Sequence, residues 1–147
     1  MTDDLRGRIT SFVNKCHTCT VATASADGQP SASLVFFKNS ELDIYFNTGR
    51  GSEKVNNIID NPRVAIAMQA DGPVPHSDKA IKGIQCMGMA IVLPDDDISG
   101  VPMTVIARHN AFNSIKPGES VIVKVVPTKI YLIDYARGFR HRDLLEL

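Results

Sequence analysis

The chain has 147 residues, of which 44% are apolar, so it can bury one core, and we expect a single domain over residues 1–147. Its 16 basic and 16 acidic residues give a formal net charge of zero, which argues against a nucleic-acid partner, because such partners favour a surplus of positive charge. No apolar run is long enough to span a bilayer and the polar start is not typical of a signal peptide, so we expect a cytoplasmic protein without a membrane partner.

The N-terminal third predicts one helix followed by three closely spaced strands. Apolar residues recur at helical spacing over residues 3–16. Strand patterns then cover residues 19–24, 31–38 and 42–47, and short turns separate them. Parallel neighbours need a crossover of a dozen or more residues, so we expect these three strands to form an antiparallel meander.

The middle of the chain predicts a short helix and two further strands. Apolar residues share one face over residues 53–60, and the proline that follows ends this helix. Strand patterns cover residues 63–69 and 81–93. The longer of these strands contains Gly83 and Gly88, which indicate a bulge or a close approach of two backbones.

The C-terminal third predicts another helix over residues 102–113 and two strands, 121–126 and 130–135, which Pro127 separates. The polar tail from Arg137 onwards is expected to be irregular. Strands outnumber helices throughout the chain. We therefore expect a mainly β fold in which an antiparallel sheet closes into a small barrel and the helices pack outside it.

Residues 48–54 join a predicted strand to a predicted helix through two glycines, an arrangement that suits an anion. The first N–H groups of a helix have no intrahelical acceptor, and the helix dipole favours negative charge there. Arg50 and Lys54 add positive charge, and Thr48 and Ser52 add hydroxyl donors. The segment therefore predicts a phosphate site, although a solvated loop capped by Ser52 would show the same pattern.

Cys16 and Cys19 form a C-x-x-C pair at the end of the first predicted helix. A helix C-terminus disfavours a thiolate, whereas a redox pair needs one of its thiols at a helix N-terminus. A zinc site would need two more ligands, and Cys86 is the one other cysteine of the sequence. We interpret the pair as buried structural thiols and expect no metal site.

Four segments, taken together in their order and spacing, carry a resemblance to a known family. They are residues 27–30 between the first two strands, 48–54, 61–65 and 81–90. Together they resemble the FMN-binding split-barrel family related to pyridoxamine 5′-phosphate oxidase. The resemblance implies a six-stranded antiparallel split β-barrel of Greek-key type with short helices outside. It also implies a homodimer that binds FMN at the subunit interface.

The resemblance also assigns roles to individual residues. The phosphate of FMN is held by Ser52 and Lys54 with help from Arg50, and the flavin ring by the backbone of residues 33–37. In the oxidases the residue between this serine and lysine is basic, whereas here it is Glu53, whose carboxylate costs affinity unless it points away from the phosphate. The cofactor-binding residues that we expect are Ser52, Lys54, Arg50, Thr48, Gly51, Val35, Phe36, Gln85 and Lys82.

The resemblance implies an oxidoreductase in which the flavin carries hydride or electron transfer, and it assigns no catalytic residue. Two alternatives stay open. The protein can be a flavin carrier or sensor without turnover, or a split barrel that binds another cofactor, such as a deazaflavin or haem. The sequence does not predict the small-molecule substrate or the electron donor.

Three further positions carry side chains that suit a ligand. His76 lies in the proline-rich loop 71–79, which is placed to cover a flavin. Arg140 and His141 in the C-terminal tail can reach the partner's cofactor or an anionic substrate. Arg108 belongs to a basic pair on a predicted helix, and the simplest interpretation of all these groups is a solvated surface.

Overall fold

The computed structural model describes residues 2–70 and 81–147, which form one curled antiparallel sheet with three helices outside it. In chain order the elements are α1 (Thr2–Asn14), β1 (Thr18–Ala24), β2 (Pro30–Phe36), β3 (Lys38–Ser40), β4 (Asp43–Gly49), α2 (Glu53–Asp60), β5 (Arg63–Gln69), β6 (Lys82–Val92), α3 (Met103–Ile115), β7 (Ser120–Asp134), a 3-10 turn (Tyr135–Arg137) and β8 (Arg142–Glu146). Within these two ranges, no helix is long and apolar enough to cross a membrane.

The strands follow the order β2-β1-β5-β6-β7-β4-β3, with β8 beside β7, and neighbouring strands are antiparallel. The sheet curls so that β2 approaches β4 across its open side. The expected mainly β split barrel with outer helices is therefore confirmed. The described residues contain eight strands instead of six, because the short strands β3 and β8 add to six long ones.

Strand β7 is continuous through Pro127, so the predicted break into two strands is wrong. The register of β6 and β7 shifts between Met87 and Gly88, and Pro127 lies opposite Gly88 at that irregularity. A proline has no N–H for the ladder and fits where the ladder is interrupted. A Cβ added to Gly88 would lie 2.6 Å from the carbonyl oxygen of Val126, which confirms the predicted close approach of two backbones.

The prediction of an irregular C-terminal tail is also wrong, because β8 pairs with β7 over five residues. Leu145 is buried in the core, and Asp143 forms an ion pair with Arg8 of α1 at 3.2 Å. Partial burial opposes the ionisation of Asp143, but hydrogen bonds from His141 and Arg8 lower the pKa of this carboxyl below its usual value. Strand β8 thus fastens the first helix to the sheet.

The core lies inside the curl of the sheet, and Phe37 and Phe46 are fully buried there. The three cysteines lie in this core and form no disulfide among the described residues. Burial, with the neighbouring thiols as a smaller cause for Cys19, raises the pKa of Cys19 and of Cys86 to about 12. Such thiols are not ionised near neutral pH, which agrees with the structural role predicted for the C-x-x-C pair.

Candidate functional site

A cleft of about 620 Å³, called the main cleft below, opens where β2, β4, α2 and α3 meet. Its volume falls in the range of small-molecule sites. The lining residues come from these four elements: Leu34, Val35, Phe36, Asn47, Thr48, Lys54, Arg108, Ala111, Phe112 and Ile115. Among the described residues, Lys54 and Arg108 are the charged members of this lining, which gives this part of the main cleft a positive character.

Helix α3 supplies one wall of the main cleft. Arg108, Phe112 and Ile115 are spaced by four and three residues, which places them on one face of the helix. Sequence reasoning missed this wall and assigned Arg108 to a solvated surface. The spacing of the three residues was the available signal, but nothing in the sequence shows that this face meets β2.

A buried network fixes α3 to the start of β7. Asn113 Oδ1 accepts the backbone N–H of Ser120 at 2.8 Å, so its Nδ2 faces His109 Nε2 at 3.2 Å. The Nε2 atom must then be an acceptor, and Nδ1 carries the proton and donates to Ser120 Oγ at 3.2 Å. This tautomer cannot take a proton from the serine, so the network positions α3 and does not activate a nucleophile.

The predicted phosphate segment forms the opposite wall. Thr48 and Lys54 line the main cleft, and Thr48 Oγ1 lies 3.2 Å from Ser52 Oγ. Ser52 is the N-cap of α2 and accepts the N–H of Val55 at 3.4 Å. The first N–H groups of α2 have no acceptor within the helix. Glu53 is exposed and is not among the lining residues, and none of the described lining residues beside Lys54 is acidic.

Two residues of the same segment stand apart from the main cleft. Arg50 Nε donates to the carbonyl of Gly118 at 2.6 Å, and its Nη2 forms an ion pair with Asp95 at 3.1 Å. Gly51 lies in an exposed turn, where an added Cβ would meet nothing within 4 Å. Neither residue is among those that line the main cleft.

Strand β2 brings Val35 and Phe36 to the main cleft. Phe36 is 62% exposed and not part of the core, and the Arg108 guanidinium lies 5.0 Å from its ring centroid. Val35 is buried beside it. The wall is thus apolar, with an aromatic face turned towards the cleft.

Asn47 is one of the residues that line the main cleft. Its Nδ2 atom is buried and has no hydrogen-bond partner among the described residues. A buried amide without a partner is costly, and a ligand acceptor would satisfy it. The set of one unpaired amide, one lysine at a helix start and an apolar wall fits a ligand with a phosphate and a polar-edged ring. Sequence reasoning missed Asn47, although it directly precedes Thr48.

Lys82 and Gln85 do not line the main cleft. Lys82 borders a separate depression of about 470 Å³, the outer cleft, and Leu34 forms a ridge common to both. The ammonium group of Lys82 lies 5.8 Å from the ring centroid of Phe12. Gln85 Oε1 accepts from Arg142 at 3.5 Å. The structure therefore does not bring these two residues together with Lys54 in one subunit.

Arg140 and His141 are not among the lining residues of the main cleft either. His141 Nε2 is 3.3 Å from Asp143, and the Arg140 guanidinium is 5.2 Å from the ring of Phe139. His76 and the loop 71–79 fall outside the described residues.

The family pattern described as pyridoxamine 5′-phosphate oxidase matches residues 5–134. No protein of curated function matches the chain. Among solved structures, a haem-binding protein from Mycobacterium smegmatis is similar, with a TM-score of 0.77 and 16% identity over 96% of this chain. The match covers 57% of that longer protein, so the chain spans little more than half of its length.

Two further structures match over nearly their whole length. General stress protein 26 from Bacillus anthracis has a TM-score of 0.67 and 24% identity, with 97% of this chain and 98% of that one covered. The haem storage protein HutZ from Vibrio cholerae has a TM-score of 0.67 and 21% identity, with 86% and 92% covered. These likenesses show the fold, and the family match extends over most of the sequence. The chain therefore belongs to the pyridoxamine 5′-phosphate oxidase family.

Proposed function

We propose that this protein is an FMN-binding oxidoreductase that acts as a cytoplasmic homodimer. The observation that supports this most directly is the main cleft, where the start of α2 and the apolar face of β2 meet around the unpaired amide of Asn47. When bound, the flavin supplies the hydride or electron transfer, and the chain binds and orients it.

The phosphate of FMN belongs at the α2 end of the main cleft. Lys54 offers a charge with no acidic neighbour in the lining, and the hydroxyls of Thr48 and Ser52 lie beside the free N–H groups of the helix start. Arg50 is held by Asp95 and Gly118, so its contribution is to shape the turn that precedes Ser52. Gly51 contributes in the same way, through the backbone of that turn.

The flavin ring belongs against β2. Val35 and Phe36 present their backbone and an apolar surface, and Asn47 Nδ2 supplies a donor for a ring carbonyl. This arrangement leaves the ring edge near α3 open to a second molecule.

The rim of the main cleft supports dimerisation. Leu34, Phe36, Phe112 and Ile115 are 72%, 62%, 57% and 81% exposed, and exposed apolar residues in a group favour an interface. A second copy on this rim would bury the ligand more completely. Lys82 and Gln85 lie outside the main cleft, so we propose that they meet a cofactor across the subunit interface.

The test compares FMN with riboflavin, which lacks the phosphate. In fluorescence titrations, the wild-type protein should bind FMN at micromolar concentration and more tightly than riboflavin. Exchange of Lys54 for Ala should lower the affinity for FMN about tenfold or more, as expected for the loss of a charged hydrogen bond. The affinity for riboflavin should stay nearly unchanged. Lys116→Ala is the matched control, because Lys116 is an exposed lysine outside the lining. Absence of FMN binding by the wild type would refute the proposal.

The two alternatives separate by spectroscopy. A flavin carrier or sensor would bind FMN but show no reduction by nicotinamide donors and no turnover. Haem binding is suggested by the similar haem proteins, but the described lining residues of the main cleft include no His, Cys or Met as an axial ligand. A Soret band in the purified protein, without a flavin spectrum, would favour haem, and a deazaflavin would show its own absorption.

A further inference from the structure

We propose that Arg108 is a second anion-binding residue of the main cleft and that the cleft takes a small planar organic acid beside the cofactor. The acid group would bind the guanidinium, and the planar body would lie against Phe112 on the same helix. This inference rests on the proposed function in one respect: the phosphate of FMN occupies the Lys54 end, so a second acid has to use the other wall.

The charge of the lining supports an acidic ligand. The charged residues of the lining, Lys54 and Arg108, are both cationic and lie on different elements. Since none of the described lining residues is a carboxylate, a cationic ligand finds no counter-charge among them, whereas an anion finds two partners. If FMN were the only ligand, its phosphate would bind at the Lys54 end of the cleft. The positive charge of Arg108 on α3 would then have no anionic partner.

Arg108 also lacks a counter-ion among the described residues. Among the described residues no carboxylate lies within ion-pair distance of its guanidinium, although Arg8 and Arg50 pair with Asp143 and Asp95. Its recorded contact is the ring of Phe36, at 5.0 Å. A partly buried guanidinium without a carboxylate keeps its planar set of donors for an incoming acid, which it can bind through two parallel hydrogen bonds.

The position of Arg108 is fixed by its neighbour in the sequence. His109 is locked to Asn113 and Ser120, so the helix turn that carries Arg108 is anchored to β7. Phe36 and Phe112 present aromatic surfaces on the same cleft. Aromatic faces favour a planar ligand, and the guanidinium beside them selects one that carries an acid group.

The experiment uses two probes with the same aromatic body, anionic 1-anilinonaphthalene-8-sulfonate and uncharged N-phenyl-1-naphthylamine. Both are titrated by fluorescence against the full chain, with and without FMN. Arg108→Met should lower the affinity for the anionic probe about tenfold, as expected for the loss of one charged hydrogen bond. It should change the affinity for the uncharged probe less than about twofold. Arg108→Lys should restore part of the loss. Arg63→Met is the control, since Arg63 is an exposed arginine of β5 outside the main cleft.

Each other result has a definite meaning. If Arg108→Met weakens the binding of both probes equally, the variant has lost an apolar contact. If Arg63→Met weakens the binding of the anionic probe as much as Arg108→Met does, the effect is one of general charge. Either result overturns the proposal. A tenfold loss of FMN affinity in Arg108→Met would assign Arg108 to the cofactor and overturn it too. If the wild type does not bind FMN, the proposed function fails, while the two-probe comparison still decides the role of Arg108.

Discussion

The two walls of the main cleft are built in different ways. The α2 wall comes from one continuous segment, residues 48–54, where a strand turns directly into a helix start. The α3 wall meets β2 only after the chain has passed through β3, β4, β5 and β6. The first wall uses local backbone chemistry, namely a cap and free N–H groups. The second depends on tertiary packing, so it should be the more sensitive to changes far from the ligand.

The largest expected effect is on the packed wall. Exchange of Asn113 for Ala leaves the Ser120 N–H and His109 Nε2 without their partners in a buried place. Two such groups should lower the free energy of unfolding by about 3 kcal/mol, measured by urea denaturation. The anionic probe should also bind more weakly, because α3 loses its anchor, while the preference for FMN over riboflavin remains.

Asn110→Ala is the control on the same helix, because Asn110 is exposed. It should leave both stability and binding within experimental error. If Asn113→Ala is as stable as Asn110→Ala, the network does not anchor α3, and the contrast between the two walls disappears.

A smaller effect is expected on the local wall. Exchange of Ser52 for Ala removes the N-cap of α2 and the hydroxyl beside Thr48. The loss of the cap should cost about 1 kcal/mol of unfolding free energy. The preference for FMN over riboflavin should fall as well, since one hydroxyl donor of the phosphate end is lost. Ser114→Ala on α3 is the matched control, and it should leave that preference unchanged.

Asn47 predicts changes of opposite sign in stability and in binding. Its unpaired buried Nδ2 is costly in the free protein, so Asn47→Leu should raise the free energy of unfolding by about 1 kcal/mol. The same exchange removes a donor for the flavin ring, and both FMN and riboflavin should bind more weakly. A variant that binds both ligands normally would show that Asn47 does not contact the ring.

The parts predictable from the sequence are those that depend on neighbours along the chain. Helix α2 begins and ends where its cap and the following proline indicate, and the close approach at Gly88 follows from a glycine within a strand. Strand β8 was missed because its polar residues give a weak strand pattern. Its pairing with β7 depends on the tertiary structure, which the local sequence does not show.

The same division applies to the candidate site. Lys54 and Thr48 were predicted because they belong to one contiguous motif. Asn47 and Arg108 could not be predicted, because only the folded chain brings them to the same cleft. The phase of β2 buries Val35 and exposes Phe36. Period-two alternation shows that two faces exist but does not show which face a partner will cover.

The smallest effect is expected for Arg50. The sequence alone does not show whether its charge contacts the ligand or a loop of the protein. Its ion pair with Asp95 is largely exposed, so Arg50→Met should cost less than about 1 kcal/mol of unfolding free energy. Because its guanidinium is held by Asp95 and Gly118, the preference for FMN over riboflavin should change less than about twofold, far less than in Lys54→Ala. Asp95→Asn sharpens the distinction, because it frees the guanidinium from its counter-ion. If that variant binds FMN more tightly while riboflavin is unaffected, Arg50 can reach the phosphate, and Asp95 restrains it. If neither variant alters the preference, the phosphate end of the α2 wall depends on Lys54, Thr48 and Ser52, and Arg50 only fastens the turn that presents them.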